Sequence, residues 1–193
     1  MLRKLIALLS GFRPSPIRTS IPWIRIDPPI RSKVGHRSAT LYRKIIEQFD
    51  VEHNPRYTPR DGKTYCNIFA WDVTSAMSAE LPHWVTSLGE PADPEADGAQ
   101  RLSCNAMHEW LQTRGKDYGW YQTDLTEAVH RASLGYPTVA IFSNPSGNGH
   151  IVVLRPDSAV SEPSCAQAGE ESFSRGFLSN SFGDKIPTFW SHP

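Results

Sequence analysis

At 193 residues and 39% hydrophobic content, the chain is long enough to bury one core and is expected to form one domain with a tail. Twenty Lys and Arg balance 20 Asp and Glu, so nothing in the overall charge favours a nucleic-acid partner. No run reaches the roughly eighteen apolar residues that cross a bilayer, and no phosphate-binding loop or dinucleotide glycine fingerprint occurs.

The charge is unevenly spread. Residues 1–37 carry eight Lys or Arg against one acid, Asp27, which leaves twelve basic and nineteen acidic residues in 38–193. Pro14, Pro16, Pro22, Pro28 and Pro29 forbid a continuous helix in this first stretch, so 1–37 is expected to be an extended basic arm, lying on the domain or moving in solvent. Such an arm suits contact with an anionic surface, and a solvated tail accounts for the same charge run. Met1, Leu2, Arg3 and Lys4 followed by apolar 5–9 have the form of a secretory start. The apolar run is short and no small-x-small cleavage site follows, so no export route is evident.

Ser38 is placed to cap an amphipathic helix over 38–50, with Leu41, Tyr42, Ile45, Ile46 and Phe49 on one stripe. After an irregular connector, Arg60-Asp61-Gly62-Lys63 is a turn signal leading into Cys66. Cys66, Phe69, Ala70, Val73, Ala76 and Met77 recur at helical spacing, which puts Cys66 in the first turn of a helix. Unsatisfied N–H groups and the positive end of the dipole favour a thiolate there, although a cysteine on an apolar face is also an ordinary core residue. Tyr57 and Tyr65 line a groove or simply pack. His83 and Trp84, beside Pro82, suit either one wall of a substrate cleft or half-buried packing. The acidic, Pro-rich 90–98 is a surface loop.

Ser103 or Asn105 starts a further helix carrying Met107, Trp110 and Leu111 and stopped by Gly115. Asn105 is expected either to cap that helix or to reach substrate. Asp124 and Glu127 have capping-box spacing before a helix with Leu125, Ala128, Val129 and Ala132 inward, ended by Gly135.

Two β-rich runs, 138–143 and 151–154, flank the turn-forming 144–149, so an antiparallel hairpin is expected with His150 at a sheet rim. A thiol and an imidazole need only be close in space to act as nucleophile and base. Beyond a loop at 157–163, residues 165–169 read as a short central strand, and Phe182, Ile186, Phe189 and Trp190 as a segment completing the sheet. Helices followed by strands argue for an α+β fold with an antiparallel sheet. Cys104 and Cys165 read as small buried hydrophobes or an incidental disulfide. Neither His-x-x-x-His nor Cys-x-x-Cys occurs, so no metal and no cofactor are expected.

Cys66-Asn67-Ile68-Phe69 and Gly149-His150-Ile151-Val152-Val153, in this order, resemble the Cys-x-x-Phe helix start and Gly-His-Val strand of papain-like cell-wall hydrolases, the NlpC-type peptidases and CHAP domains. The likeness spans 57–153. It implies a papain-like α+β fold with the nucleophile helix packed on a central antiparallel sheet in 38–193. It also implies hydrolysis of peptidoglycan amide bonds, as endopeptidase or amidase, by a bacterial or phage protein acting at the cell wall. In that reading Cys66 attacks, His150 is the base, and a third polar group sits on the next strand, usually Asn, Asp, Glu or His. Gln167 is best placed for it, departing from the usual types, with Glu162 and Glu170 as alternatives. The Cys66 N–H and the Tyr65 hydroxyl would serve the oxyanion, and Asn67, Trp84 and Asn105 the substrate. The same fold would also carry a thiol-dependent transferase or deamidase, or a catalytically silent wall-binding or adaptor module.

Overall fold

The first described helix starts where its cap predicts. In the computed structural model, which describes residues 18–193, the Ser38 side chain accepts the Leu41 N–H at 3.2 Å and opens α1 (Ala39–Glu47). Tyr42, Ile45 and Ile46 are its buried stripe. The helix stops short of residue 50, where Asp50 turns into the left-handed region at φ 46°.

Helix α2 (Cys66–Ala76) departs from the expected one-sided burial: nine of its eleven residues are buried, Ile68, Trp71, Asp72 and Thr74 included. A helix buried all round lies inside the core. Its inner side packs on the sheet and its outer side is covered by 18–37 and the stretch that follows the helix.

The strands β1 (Trp84–Val85) and β2 (Gln100–Arg101) form a small antiparallel pair. Helix α3 (Cys104–Thr113) is capped by Ser103, whose hydroxyl accepts the Ala106 N–H at 3.2 Å. Then come β3 (Tyr121–Thr123) and α4 (Leu125–Ser133), whose cap Asp124 accepts the Glu127 N–H at 2.8 Å. Gly135, at φ +90°, ends this helix against the Ser38 backbone, where any side chain would collide. The rest of the chain supplies β4 (Thr138–Phe142), β5 (His150–Leu154), β6 (Ser164–Gln167), β7 (Phe173–Phe177), α5 (Leu178–Phe182) and β8 (Thr188–Ser191).

Six strands form one antiparallel sheet in the order β3-β8-β4-β5-β6-β7. The chain is therefore α+β with an antiparallel sheet. The final segment enters it, but by Phe189 and Trp190 of β8, between β3 and β4. Phe182 instead belongs to α5, and Ile186 is 86% exposed in the loop between them. Residues Val139, Ala140, Ile141 and Ile151 to Leu154 are fully buried, and α2 lies against β5.

Residues 18–37 lie on the domain. Gln48 exchanges two hydrogen bonds with the Ile30 backbone, both 2.9 Å, and the Ser32 N–H donates to Ala76 O at 2.9 Å. Arg56, fully buried, holds Asp72 of α2 through Nε and Nη2 at 2.7 and 2.9 Å. The same guanidinium donates to Ile21 O at 2.7 Å and Ile24 O at 2.9 Å, while the Tyr57 hydroxyl donates to Asp72 at 2.7 Å. The signal-like residues 1–9 lie outside the described residues. Among the described residues no helix is long and apolar enough to cross a membrane.

Removing one partner of a buried ion pair leaves the other charge uncompensated. Arg56→Met is expected to lower unfolding stability by about 3–5 kcal/mol, read as a lower urea midpoint, and an unchanged midpoint would show that the pair anchors nothing.

Candidate active site

Cys66 is the first helical residue of α2, after Tyr65, whose φ of −124° and ψ of 35° lie outside the helix and whose side chain provides no cap. The first-turn N–H groups thus lack backbone partners within the helix, that of Ile68 donating instead to Asn67 Oδ1 at 3.1 Å. Asp61 and Gly62, at φ 53° and 67°, make the tight turn that delivers the chain to this point.

His150 opens β5, paired with Phe142 across the hairpin. The loop before it is fastened by Asn105. Its Nδ2 donates to Asn144 O at 2.9 Å and Gly147 O at 3.0 Å, and its Oδ1 accepts the Asn144 N–H at 2.9 Å. A side chain at Gly149 would run into Asn105 Oδ1 and Phe142 O, so the approach requires glycine. Asn105 therefore does not cap its helix, a role taken by Ser103. Its amide is committed to the loop that aims His150.

Gln167 is where the third group was expected. His150 Nε2 meets Gln167 Oε1 at 2.6 Å, and Gln167 Nε2 donates to Glu171 O at 2.9 Å. The second bond fixes the amide orientation: its oxygen faces the imidazole, so Nε2 must carry the proton. In the neutral ring Nδ1 is then the free acceptor, the atom a base uses. The Phe182 ring packs edge-on at 5.5 Å and closes one side of the imidazole. Glu162 and Glu170 are exposed and take no part in this contact.

The Cys66 thiol is held well below the ordinary thiol range, first by a hydrogen bond from Cys104, then, against the opposing effect of burial, by the hydrogen bond and charge of His150 and a backbone hydrogen bond from Ile151. Burial pulls His150 down, yet Cys66 and Gln167 together raise it above its usual value. Cys104 is driven well above its usual value first by its hydrogen-bonding interaction with Cys66, then by burial and by the charge on Cys66. The pair accordingly favours ionisation at Cys66 over Cys104. All three cysteines are free. Cys165 lies elsewhere, against Ser181 at 3.4 Å, with burial pushing its thiol to about 11.

A cavity of about 660 Å³ opens over Cys66. Tyr65 and Asn67 line it, the former under the Arg60 guanidinium at 5.1 Å, the latter with its amide donating to Leu102 O at 3.0 Å. Trp84 is not among the lining residues: its indole donates to Trp23 O at 3.0 Å. Trp23, 46% exposed, takes the place at the rim, and the Arg101 guanidinium lies 5.9 Å from Trp23 and 5.8 Å from Trp84. His83 lines the cavity as well, though it is only 5% exposed and packs against Trp71 and Trp84, and burial lowers its pKa to about 4, so it is neutral at pH 7.

Sequence reasoning missed Trp23, Arg60, Arg101 and Cys104. For Cys104 a signal existed, since it follows a helix cap and so holds the same first-turn position as Cys66. Among the described residues no group of three or more His, Cys, Asp or Glu is arranged to hold a metal. No family model matches the chain, and no curated protein matches it.

Two outcomes are expected from this geometry. Iodoacetamide should label native Cys66 at pH values below the ordinary thiol pKa of ~8.5, and His150→Ala should move the onset of labelling to higher pH, slowing it at any pH below the shifted pKa. An equal rate in both proteins would break the pairing. Because Gln167 favours the protonated ring, Gln167→Ala should lower the His150 pKa in an NMR titration, and a rise or no change would remove Gln167 from the site.

Proposed function

We propose that the chain is a thiol amidohydrolase of papain-like, NlpC/CHAP-type fold that cleaves amide bonds in the peptides of bacterial cell-wall peptidoglycan. The observation that carries this reading is the line of Cys66, His150 and Gln167, with the thiolate at a free helix end beneath an open cavity. The cell wall as substrate comes from the resemblance at 66–69 and 149–153.

In this mechanism the Cys66 thiolate adds to the scissile carbonyl carbon. Negative charge gathers on the carbonyl oxygen, where the Cys66 N–H at the open end of α2 stabilises it, with the Tyr65 hydroxyl in the same cavity wall. Collapse breaks the C–N bond, and protonated His150 gives its Nδ1 proton to the leaving amine. A thioester remains. His150, neutral again, takes a proton from water as it attacks, and the second collapse releases the carboxylate and restores the thiolate–imidazolium pair. Gln167 keeps the proton on Nε2 throughout, so the same nitrogen serves each transfer.

Trp23 and Tyr65 flank the entrance with flat apolar faces suited to a peptide backbone. Cys66 itself is only 4% exposed, which favours a substrate that reaches down with a slender, extended chain.

Purified sacculi test the reading. Wild-type protein should release muropeptides bearing new amine and carboxylate ends, identified by mass spectrometry. Cys66→Ala should lose at least ~10³-fold in rate while folding normally. Release at an undiminished rate by that variant would overturn the proposal.

A further inference from the structure

Cys104 has no place in the mechanism above, yet it is the neighbour that most strongly affects the nucleophile. Cys66 and Cys104 are the first residues of α2 and α3, helices of eleven and ten residues, and both line the same cavity. Their side chains meet at the wall of that cavity, near enough for each to shift the other's titration, and neither is in a disulfide. They are 4% and 8% exposed, and the cavity they line gives a small oxidant access to them.

We propose that Cys66 and Cys104 form a dithiol that hydroperoxides oxidise to a disulfide, with Cys66 as the attacking and Cys104 as the resolving sulfur. The thiolate of Cys66 attacks one peroxide oxygen and expels hydroxide, giving a sulfenic acid at Cys66. Sulfur loses two electrons and the peroxide gains them. The Cys104 sulfur then attacks the Cys66 sulfur, the S–OH bond breaks, and the hydroxyl leaves as water with the Cys104 proton. Closing the bond requires the sulfurs to approach to about 2.05 Å.

Division of roles follows from position: Cys66 has His150 beside it to take its proton and attacks, and Cys104, without such a base, waits on the same cavity wall. A disulfide at Cys66 removes the nucleophile reversibly and keeps it from passing to the irreversible sulfinic acid. Cys165, in β6 against Ser181 and outside the cavity, is the internal control. The inference rests on the thiolate–imidazole pair of the proposed hydrolase and not on its substrate.

The test uses the reduced full chain, treated with hydrogen peroxide and digested without reductant for mass spectrometry. Expected in wild type are a 66–104 linked peptide lighter by two hydrogens and a loss of Cys66 alkylation that dithiothreitol restores. Cys104→Ser keeps a donor beside Cys66 and lacks the resolving sulfur. It should show dimedone-trapped sulfenic acid at Cys66, then sulfinic acid that dithiothreitol does not reverse. Circular dichroism checks its fold, with Cys104→Ala as the second variant. Sulfinic acid forming at Cys66 in wild type as fast as in the variants, with no 66–104 link, would overturn the inference. The readout is mass rather than turnover. A protein that forms the link but releases no muropeptides therefore rejects the cell-wall reading and leaves this one standing.

Discussion

The arrangement of the site depends on the buried ion pair of Arg56 and Asp72. Asp72 lies on α2, and its carboxylate has no access to water. It is tolerable only because the Arg56 fork meets both oxygens and Tyr57 adds a third hydrogen bond. Arg56 spends its remaining donors on Ile21 O and Ile24 O. One guanidinium thus ties α2 to the N-terminal stretch, and that stretch carries Trp23 to the cavity rim. A hydrophobic replacement of both partners would remove the desolvation cost. It would also remove the directional bonds that place Trp23 and, through Trp23 O, the indole of Trp84.

Sheet register explains the choice of Gln. Val153 pairs with Ala166 and Leu154 with Cys165. Continuing that register sets Gln167 opposite Val152, one diagonal step from His150 on the same face. A diagonal neighbour is several ångströms further away than a direct one, and the extra methylene of Gln over Asn helps to span it. The directly opposite position would fall at Gly169. A glycine there leaves room for the Gln167 amide, which lies close to where a side chain would begin. The residue type that departed from the usual set is therefore accounted for by where the strand places it.

Cys66 and His150 stood out in the sequence because each sits in a strong local pattern, a turn into a periodic helix and a glycine-rich hairpin, whereas Gln167 was singled out only through the family resemblance, as the polar residue on the next strand. The same patterns misjudged α2. Periodicity marks the apolar face but cannot show that a proline-rich stretch will cover the other side, as 18–37 does over Trp71 and Asp72. Strands β3 and β7 left no trace, since their residues are mostly exposed or half-buried without clean alternation. Helix α5 has only five residues, too few for a period to emerge. Trp23, Arg60 and Arg101 come from segments distant in sequence, brought together only by the fold.

Helix α3 links the two halves of the chemistry. Its first residue, Cys104, gives the strongest favourable contact to the Cys66 thiolate. Its second, Asn105, fixes the loop that ends at His150. Donor and base are therefore referred to a single rigid body, and a shift of α3 would move both relative to α2. Adjacent helical residues point about 100° apart, which lets Cys104 face the thiol while Asn105 faces the hairpin. Three elements meet at one sulfur: α2 supplies it, α3 brings Cys104 to the same cavity wall, and β5 brings the imidazole near it. The thiolate is stabilised by contacts from separate directions, so its charge does not depend on His150 alone.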